Sequence, residues 1–414
     1  MLASLPYWLF QMARHGKYRR GLAERLGRLP SRLRLPGERE LVIWIHAVSV
    51  GEVLAVAGLV EELRRRFPRH RIVVSTTTDT GQALGRQRFG EANVFYFPMD
   101  FAFAIRPYLR ALRPQIVVIA ETELWPNFIR LAHASGARIA VVNARISDRS
   151  WPSYRRFRGL LQRLLANVDL LLAQTPEDAA RLRDIGASLE RVHVVGNLKF
   201  DIPAPAPPAI VESLQKSIAA TGAGPVLVCG STVDGEESLL LKAFENLLVQ
   251  HTRAVMILAP RHPERFAAVA ALLEQMSIRF WRRSLWNGEP LTGGVFLVDT
   301  IGELAALYGL ADVAFVGGSL VPHGGHNILE PAQHGVAIVV GNHTENFRDI
   351  VGLFQNRGAV RIVGPAELPL VFLELLANDA ERRALGQRAA ETMRSQIGAT
   401  ARTAGELQEL MARP

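Results

Sequence analysis

Two matched series of short, mainly apolar runs restrict the fold of this 414-residue chain more than any other feature. The first series occupies 41–46, 71–76, 93–97, 115–120, 138–143, 168–173 and 192–195. The second occupies 225–230, 254–259, 278–281, 295–298, 313–317, 336–340 and 360–363. Helix-length segments separate the runs, and the segment 53–67 sets apolar residues on one face and arginines on the other. Runs that are apolar along most of their length, without polar alternation, and that alternate with helices predict parallel strands buried on both faces. Between the series lies DIPAPAPPAI, with prolines at 203, 205, 207 and 208. Such a stretch continues neither a helix nor a central strand, and it predicts a semi-rigid linker. The expected organisation is therefore α/β, with a basic segment 1–36, a domain 37–202, a linker 203–224 and a domain 225–414. Two doubly wound domains of this kind are expected to face a central cleft, with ligands at the carboxyl ends of the strands.

Composition narrows the function classes. Hydrophobic residues at 49% and charged residues at 21% describe a chain with a packed core and exclude a disordered one. A single cysteine, Cys229, excludes a disulfide framework and a cysteine-based zinc cluster. No stretch reaches the roughly 18 apolar residues of a membrane span. The net charge of +9 is concentrated at the start, where residues 1–36 hold Arg14, Lys17, Arg19, Arg20, Arg25, Arg28, Arg32 and Arg34 against the one acid Glu24. An apolar start with Tyr7, Trp8 and Phe10, followed by this basic run, suits an anionic membrane surface. Nucleic acid phosphates or a solvated helix face are the alternatives. The charge follows the apolar stretch and no small-residue cleavage site is evident, so a secretory leader is not expected.

Polar motifs follow the runs. HAVSVGEV brings His46, Ser49, Gly51 and Glu52 to a helix start, where Glu52 is either a dipole-favoured helix carboxylate or a general base. In ETELWPNF, Glu121 and Glu123 leave a strand end beside Trp125 and Asn127, on the same side if the strand continues. NARISDRSW carries Asn143, Arg145, Ser147 and Arg149, and GNLKFD carries Gly196, Asn197, Lys199 and Asp201. In the second half, GSTVDGEE presents Ser231 and Thr232, PRHPERF presents Arg261, His262 and Arg265, and DTIGEL presents Gly302 and Glu303. GGSLVPHGGHNILEPA allows close backbone approach at its glycines and offers N–H groups to an anion, with Glu330 inside the following helix. Its spacing fits neither a P-loop nor the dinucleotide fingerprint, and the histidines at 46, 262, 323, 326, 334 and 343 show no metal-type spacing. His262 and His326 are expected to partner phosphate or backbone.

Taken in order, HAVSVGE, ETELWPN, NARISDRS, GNLKFD, GSTVDGEE, PRHPER, DTIGEL, GGHN-LEPA and HTENF closely resemble the bacterial 3-deoxy-D-manno-octulosonic acid (Kdo) transferases over roughly 44–350. The resemblance implies the B-type glycosyltransferase fold, two Rossmann-like domains with the active site between them. It implies inverting transfer of Kdo from CMP-Kdo to the lipid A precursor (lipid IVA) in lipopolysaccharide biosynthesis, with CMP released and no metal or other cofactor. It also implies attachment to the inner membrane on its cytoplasmic side, through an anionic surface, with no nucleic acid partner. The family's catalytic base falls on Glu52, and its proposed transition-state stabilisers fall on Glu121 and Lys199. Its CMP-binding segments fall on Pro260 and Arg261, on Ile301, Gly302 and Glu303, and on Asn327, Ile328, Leu329 and Glu330, with Ser231 and Thr232 near the phosphate. Val233, Ile301 and Asn342 depart from the usual family residues, and the start is shorter and less apolar than the family's spanning anchor, which favours interfacial attachment. The competing expectations are another nucleotide-sugar enzyme on this fold, such as an epimerase or a UDP-sugar transferase, and a polybasic binder that keeps the scaffold without catalysis.

Overall fold

The computed structural model describes residues 20–33, 41–148, 150–201 and 208–413. The chain divides into two compact units, Met1–Pro203 with Gln396–Pro414, and Ala204–Ser395. Each is built on a seven-stranded sheet, and all strand pairs are parallel.

In the first unit the strands are β1 (Leu41–His46), β2 (His70–Thr76), β3 (Val94–Tyr96), β4 (Ile116–Ala120), β5 (Arg138–Ala144), β6 (Leu170–Ala173) and β7 (Val192–Val194). Their order across the sheet is β3-β2-β1-β4-β5-β6-β7. The apolar runs are apolar throughout because both faces are covered. Val42 and Trp44 of β1 point into one core with Val117 and Ile119 of β4. Ile43 and Ile45 point into the other core with Ile116 and Val118. Trp44 anchors the first core among Phe95, Tyr108 and Phe128, with ring centroids 5.4, 6.2 and 4.8 Å away, and its indole N–H donates to Ser75 Oγ at 2.8 Å.

The second unit holds β8 (Val226–Thr232), β9 (Val255–Pro260), β10 (Phe280–Arg282), β11 (Gly294–Leu297), β12 (Val313–Val316), β13 (Ala337–Val340) and β14 (Arg361–Ile362). Their order is β10-β11-β9-β8-β12-β13-β14. Leu227, Cys229, Met256, Leu258, Val313 and Phe315 form one core face. Cys229 is fully buried there, which explains a lone thiol as packing.

Two boundaries differ from the expected ones. The stretch 203–224 is not linker throughout, because a helix spans Ala209–Thr221, with Pro208 at its N-cap and Gly222 in the left-handed conformation at its end. The tail does not belong with 225–395 either. The helix Ala399–Ala412 returns to the first unit, where Ala399, Ala404, Leu407 and Leu410 join the core. The Asp201 carboxylate fixes that return by accepting from Gly398 N at 2.7 Å, and His193 meets Glu406 at 2.8 Å.

The N-terminal basic run is also not uniform. Most of 1–36 lies outside the described residues, but Arg25 is buried. Its guanidinium donates to Thr77 O at 2.7 Å and lies over the Tyr96 ring. Arg32 pairs with Glu24 at 2.8 Å. These two arginines fasten the segment to the sheet and do not form part of a free cationic surface.

Candidate active site

In each sheet the chain enters at a central strand, proceeds to one edge, then resumes on the other side of that strand. The reversals fall between β1 and β4, and between β8 and β12. Loops diverge at the carboxyl ends of such neighbours, which leaves a crevice for a ligand.

At the β1/β4 reversal, β1 ends at His46. Ser49 caps the helix Val50–Arg66, accepting from Glu52 N at 3.5 Å. The Ser49 hydroxyl donates to Glu52 Oε1 at 2.9 Å, and Val48 N donates to Oε2 at 2.7 Å. This is a variant of the capping box, with the carboxylate reaching back past the cap residue. Glu52 is only 7% exposed. Burial pushes its pKa up to about 7, the charges of Glu121 and Glu123 push the same way, and the Val48 and Ser49 hydrogen bonds pull against them. A carboxyl group held in position and poised near neutrality is what a general base requires.

Glu121 follows β4 directly, but the strand does not continue. The residue takes a left-handed backbone with φ 55°, so side-chain alternation does not decide where Glu121 and Glu123 point. Such a conformation in a residue with a Cβ is costly and concentrates at functional sites. Glu121 Oε1 accepts from Lys199 Nζ at 3.1 Å, and Oε2 lies 3.7 Å from Arg145 Nε. Glu123 has its pKa raised by burial and then by Glu121.

Lys199 is held by buried amides. Asn197 Oδ1 accepts from Lys199 N at 2.9 Å, and Asn143 Oδ1 accepts from Leu198 N at 3.0 Å. Gln174 links the two, accepting from Asn197 Nδ2 at 2.9 Å and donating to Asn143 O at 3.0 Å. Asn143 itself sits at φ 54°. Gln174 was invisible as a site residue in the sequence, since a lone glutamine after a strand carries no signal. His46 is fully buried and stacked on Phe97 with ring centroids 3.9 Å apart. Burial lowers its pKa to about 3, so it is a neutral packing group beside the site.

At the β8/β12 reversal, the principal organiser is Glu236, which the motif contained but the sequence did not single out. It is fully buried. Its Oε1 accepts from Ser319 N and Leu320 N at 2.8 Å each, and its Oε2 accepts from Gly318 N at 2.7 Å and Val233 N at 3.1 Å. The N–H groups at 318–320, where the glycines were expected to allow close approach of a ligand, are thus filled by an internal carboxylate. Glu236→Gln would turn donors against donors in a dry site. We expect a loss of about 3 kcal/mol in stability, read as a fall in denaturation midpoint; an unchanged midpoint would refute the clamp.

The remaining residues sort by what their side chains already meet. Ser231 sits at φ 56°. Thr232 is buried and donates to Glu237 Oε1 at 3.3 Å, so its hydroxyl does not face a ligand. Pro260 ends β9, and Arg261 N donates to Thr232 O at 2.9 Å while its side chain is exposed. Ile301 is 68% exposed. Gly302, at φ 93°, has open space where a Cβ would stand. Glu303 is clasped by Arg283 through two bonds of 3.1 and 2.8 Å. Ile328 and Leu329 are fully buried, so only their backbone can meet a ligand. Asn327 Nδ2 donates to Glu330 Oε1 at 3.4 Å. Burial raises the Glu330 pKa, against the pull of Asn327 and Arg261.

Two Rossmann-like units, each with its polar residues at the reversal of a parallel sheet, define the class as the B-type glycosyltransferase fold. The structure of CalG4, the calicheamicin glycosyltransferase, matches 91% of this chain and 99% of that one at a TM-score of 0.55 and 17% identity, which bears on fold alone. The family model of 3-deoxy-D-manno-octulosonic-acid transferase matches residues 20–202. The 3-deoxy-D-manno-octulosonic acid transferase of Bordetella pertussis is 36% identical over 97% of this chain and 95% of its own length. That of Haemophilus influenzae is 34% identical over 93% and 90%. The chain belongs to the Kdo transferase family, the glycosyltransferases that add Kdo in lipopolysaccharide biosynthesis.

Proposed function

We propose that the chain moves Kdo from CMP-Kdo to lipid IVA with inversion at the anomeric carbon, releasing CMP. The Glu52 carboxylate takes the proton of an acceptor sugar hydroxyl. The acceptor oxygen forms its bond to the anomeric carbon as the bond from that carbon to the CMP phosphate oxygen breaks, and CMP leaves with the electron pair. The observation that carries this reading is the buried Glu52 carboxyl, aligned by Ser49 and Val48, with a pKa pushed up to about 7. Lys199 and Arg145 beside Glu121 supply positive charge at the same strand ends, and Arg261 supplies it at the strand ends of the other unit. Charge that a bound metal would otherwise neutralise is met by these cations, so no metal is assigned to the reaction.

The acceptor carries phosphates on a lipid. On the first unit, the helices Trp151–Arg156 and Arg158–Leu165 meet around Phe157 and Leu160, which are 56% and 69% exposed among Arg156, Arg158 and Arg163. Exposed apolar groups among arginines suit the anionic face of a bilayer. This supports work at the cytoplasmic side of the inner membrane by surface attachment; no helix among the described residues is long and apolar enough to cross a membrane. Neutralising Arg156 and Arg158 together should raise the apparent KM for the lipid about fivefold and leave that for CMP-Kdo alone, since each screened charge near an anionic surface is worth about 1 kcal/mol or less. An unchanged acceptor KM would exclude this docking face. The reaction itself is tested by incubating the protein with a CMP-Kdo source and lipid IVA and weighing the lipid by mass spectrometry. A mass gain of one or more Kdo units is expected, and an unmodified lipid would refute the assignment.

A further inference from the structure

Three carboxyl groups stand at the strand ends of the first unit, and one of them is not yet accounted for. Glu52 is held by Val48 and Ser49. Glu121 is met by Lys199 at 3.1 Å and by Arg145 at 3.7 Å. Glu123 follows two residues later and takes neither cation. Its side chain is half-buried, yet among the described residues its carboxyl makes no hydrogen bond and no ion pair. Taking a carboxylate out of water without a partner is costly, so a group left in this way calls for a reason. Holding the loop is not that reason, because other groups hold it. The Thr122 hydroxyl donates to Arg145 O and accepts from Arg145 N at 3.1 Å. Asn127 N and Phe128 N donate to the Asp100 carboxylate at 3.1 and 2.7 Å. Neither Glu123 oxygen is sealed from solvent. The carboxyl is therefore pinned through its backbone, shielded along its stem and open at its oxygens. Tyr154, on the helix Trp151–Arg156, packs against the same core as Leu124 and Trp125. Its pKa is raised by burial and then by the charge of Glu123. The Tyr154 hydroxyl also makes no hydrogen bond among the described residues and is open to solvent. A free acceptor and a free donor thus lie in one neighbourhood.

We propose that Glu123 is an acceptor-binding residue, its carboxylate taking hydrogen bonds from hydroxyls of the acceptor sugar at a subsite it shares with Tyr154. This rests on the reading that the acceptor hydroxyl is delivered to Glu52. An ionised carboxylate only accepts hydrogen bonds, at up to about four sites, so its complement is a group rich in O–H donors. A sugar is such a group, and a phenol beside the carboxylate adds an apolar ring and a polar tip to meet it. The donor sugar is an acid, and a carboxylate with no cation of its own repels it. Neutral hydroxyls of the acceptor meet no such repulsion.

The test measures initial rates of Kdo transfer by the full chain at pH 8, where Glu52, with a pKa of about 7, is mostly ionised. Lipid IVA and CMP-Kdo are varied in turn for wild type, Glu123→Ala, Glu123→Gln and Tyr154→Phe. Loss of a charged hydrogen-bond partner should raise the lipid IVA KM about tenfold in the alanine variant and leave the CMP-Kdo KM within about twofold. Glutamine keeps one acceptor oxygen and should recover part of that loss, while Tyr154→Phe should raise the lipid IVA KM about threefold. A lipid IVA KM within about twofold of wild type in both Glu123 variants would overturn the proposal. So would a shifted pH profile with that KM unchanged, since Glu123 would then act only through the charge it adds at Glu52. Equal rises in both KM values, in the glutamine variant as in the alanine one, would report a disturbed loop and count against a specific contact. A wild-type chain that transfers no Kdo overturns the proposed reaction and this inference with it, and is told apart because it occurs in the unaltered protein.

Discussion

Glu52→Gln is expected to lower kcat for Kdo transfer by about a thousandfold while leaving the CMP-Kdo KM near its starting value. Positioned general bases contribute in this range, and the substitution removes the base and little else. Glutamine has the same shape. Its carbonyl oxygen can accept from Val48 N, and its amide can donate to Ser49 Oγ, whose hydroxyl then turns away. The pH profile carries a second expectation. Because the Glu52 pKa stands at about 7, wild-type kcat/KM should fall below pH 7 as the base is protonated. A flat profile from pH 5.5 to 8 would remove Glu52 from the role. Stability should move the other way. The folded pKa lies above the ordinary glutamate value of 4.5, so proton binding favours the fold fully below about 4.5 and that contribution is lost as pH rises to 7. At pH 8 wild type bears the cost of a buried charge, at most about 3 kcal/mol, that glutamine does not. The variant should therefore melt above wild type at pH 8, with the difference closing by pH 5. A base required for turnover but costly to bury has this paired signature, and a purely structural carboxylate does not.

The strands were legible because a parallel strand covered on both faces has to be apolar at every position, and a helix between strands does not. Val42 to Ile45 serve two cores in alternation, which leaves no place for a polar residue until the strand ends. The same logic exposed Glu52, since a carboxylate in the first helical turn after a strand stands where the helix dipole favours it and where ligands collect. Legibility failed where a contact is made between distant segments. The helix Ala399–Ala412 is amphipathic wherever it docks, and it is contacts with distant residues, such as Asp201 with Gly398 and His193 with Glu406, that show it docks on the first unit. The helix Ala209–Thr221 was hidden by the prolines before it, although Pro208 at its N-cap is a permitted helix start. Glu236 escaped notice because its four partners lie at 233 and 318–320, and local sequence does not reveal that a glycine-rich loop is already filled. The backbone turn at Glu121 was missed for a related reason: nothing in ETELWPNF requires a left-handed residue there.

Lys199→Met should cost about a hundredfold in kcat and should shift the acidic limb of the pH profile upward. Methionine matches the length of the lysine stem and removes the charge. The Lys199–Glu121 pair is largely shielded, with side chains 23% and 20% exposed, so the cation acts at close range in a medium less screening than water. Removing it takes positive charge from the strand ends where negative charge is to be met, an effect of the size seen when one electrostatic contact to a transition state is lost. It also leaves the Glu121 charge opposed by Arg145 alone, at 3.7 Å. Glu121 already raises the Glu52 pKa, and with less compensation it raises it further. Glu121→Gln makes the opposite prediction, because it removes that negative charge, so its acidic limb should move down even as turnover falls. Two substitutions in one ion pair that shift the same limb in opposite directions would show that Glu121, Lys199 and Glu52 act as one electrostatic unit. A limb that stays fixed in both would mean that the pair acts on the reaction, if at all, without touching the base.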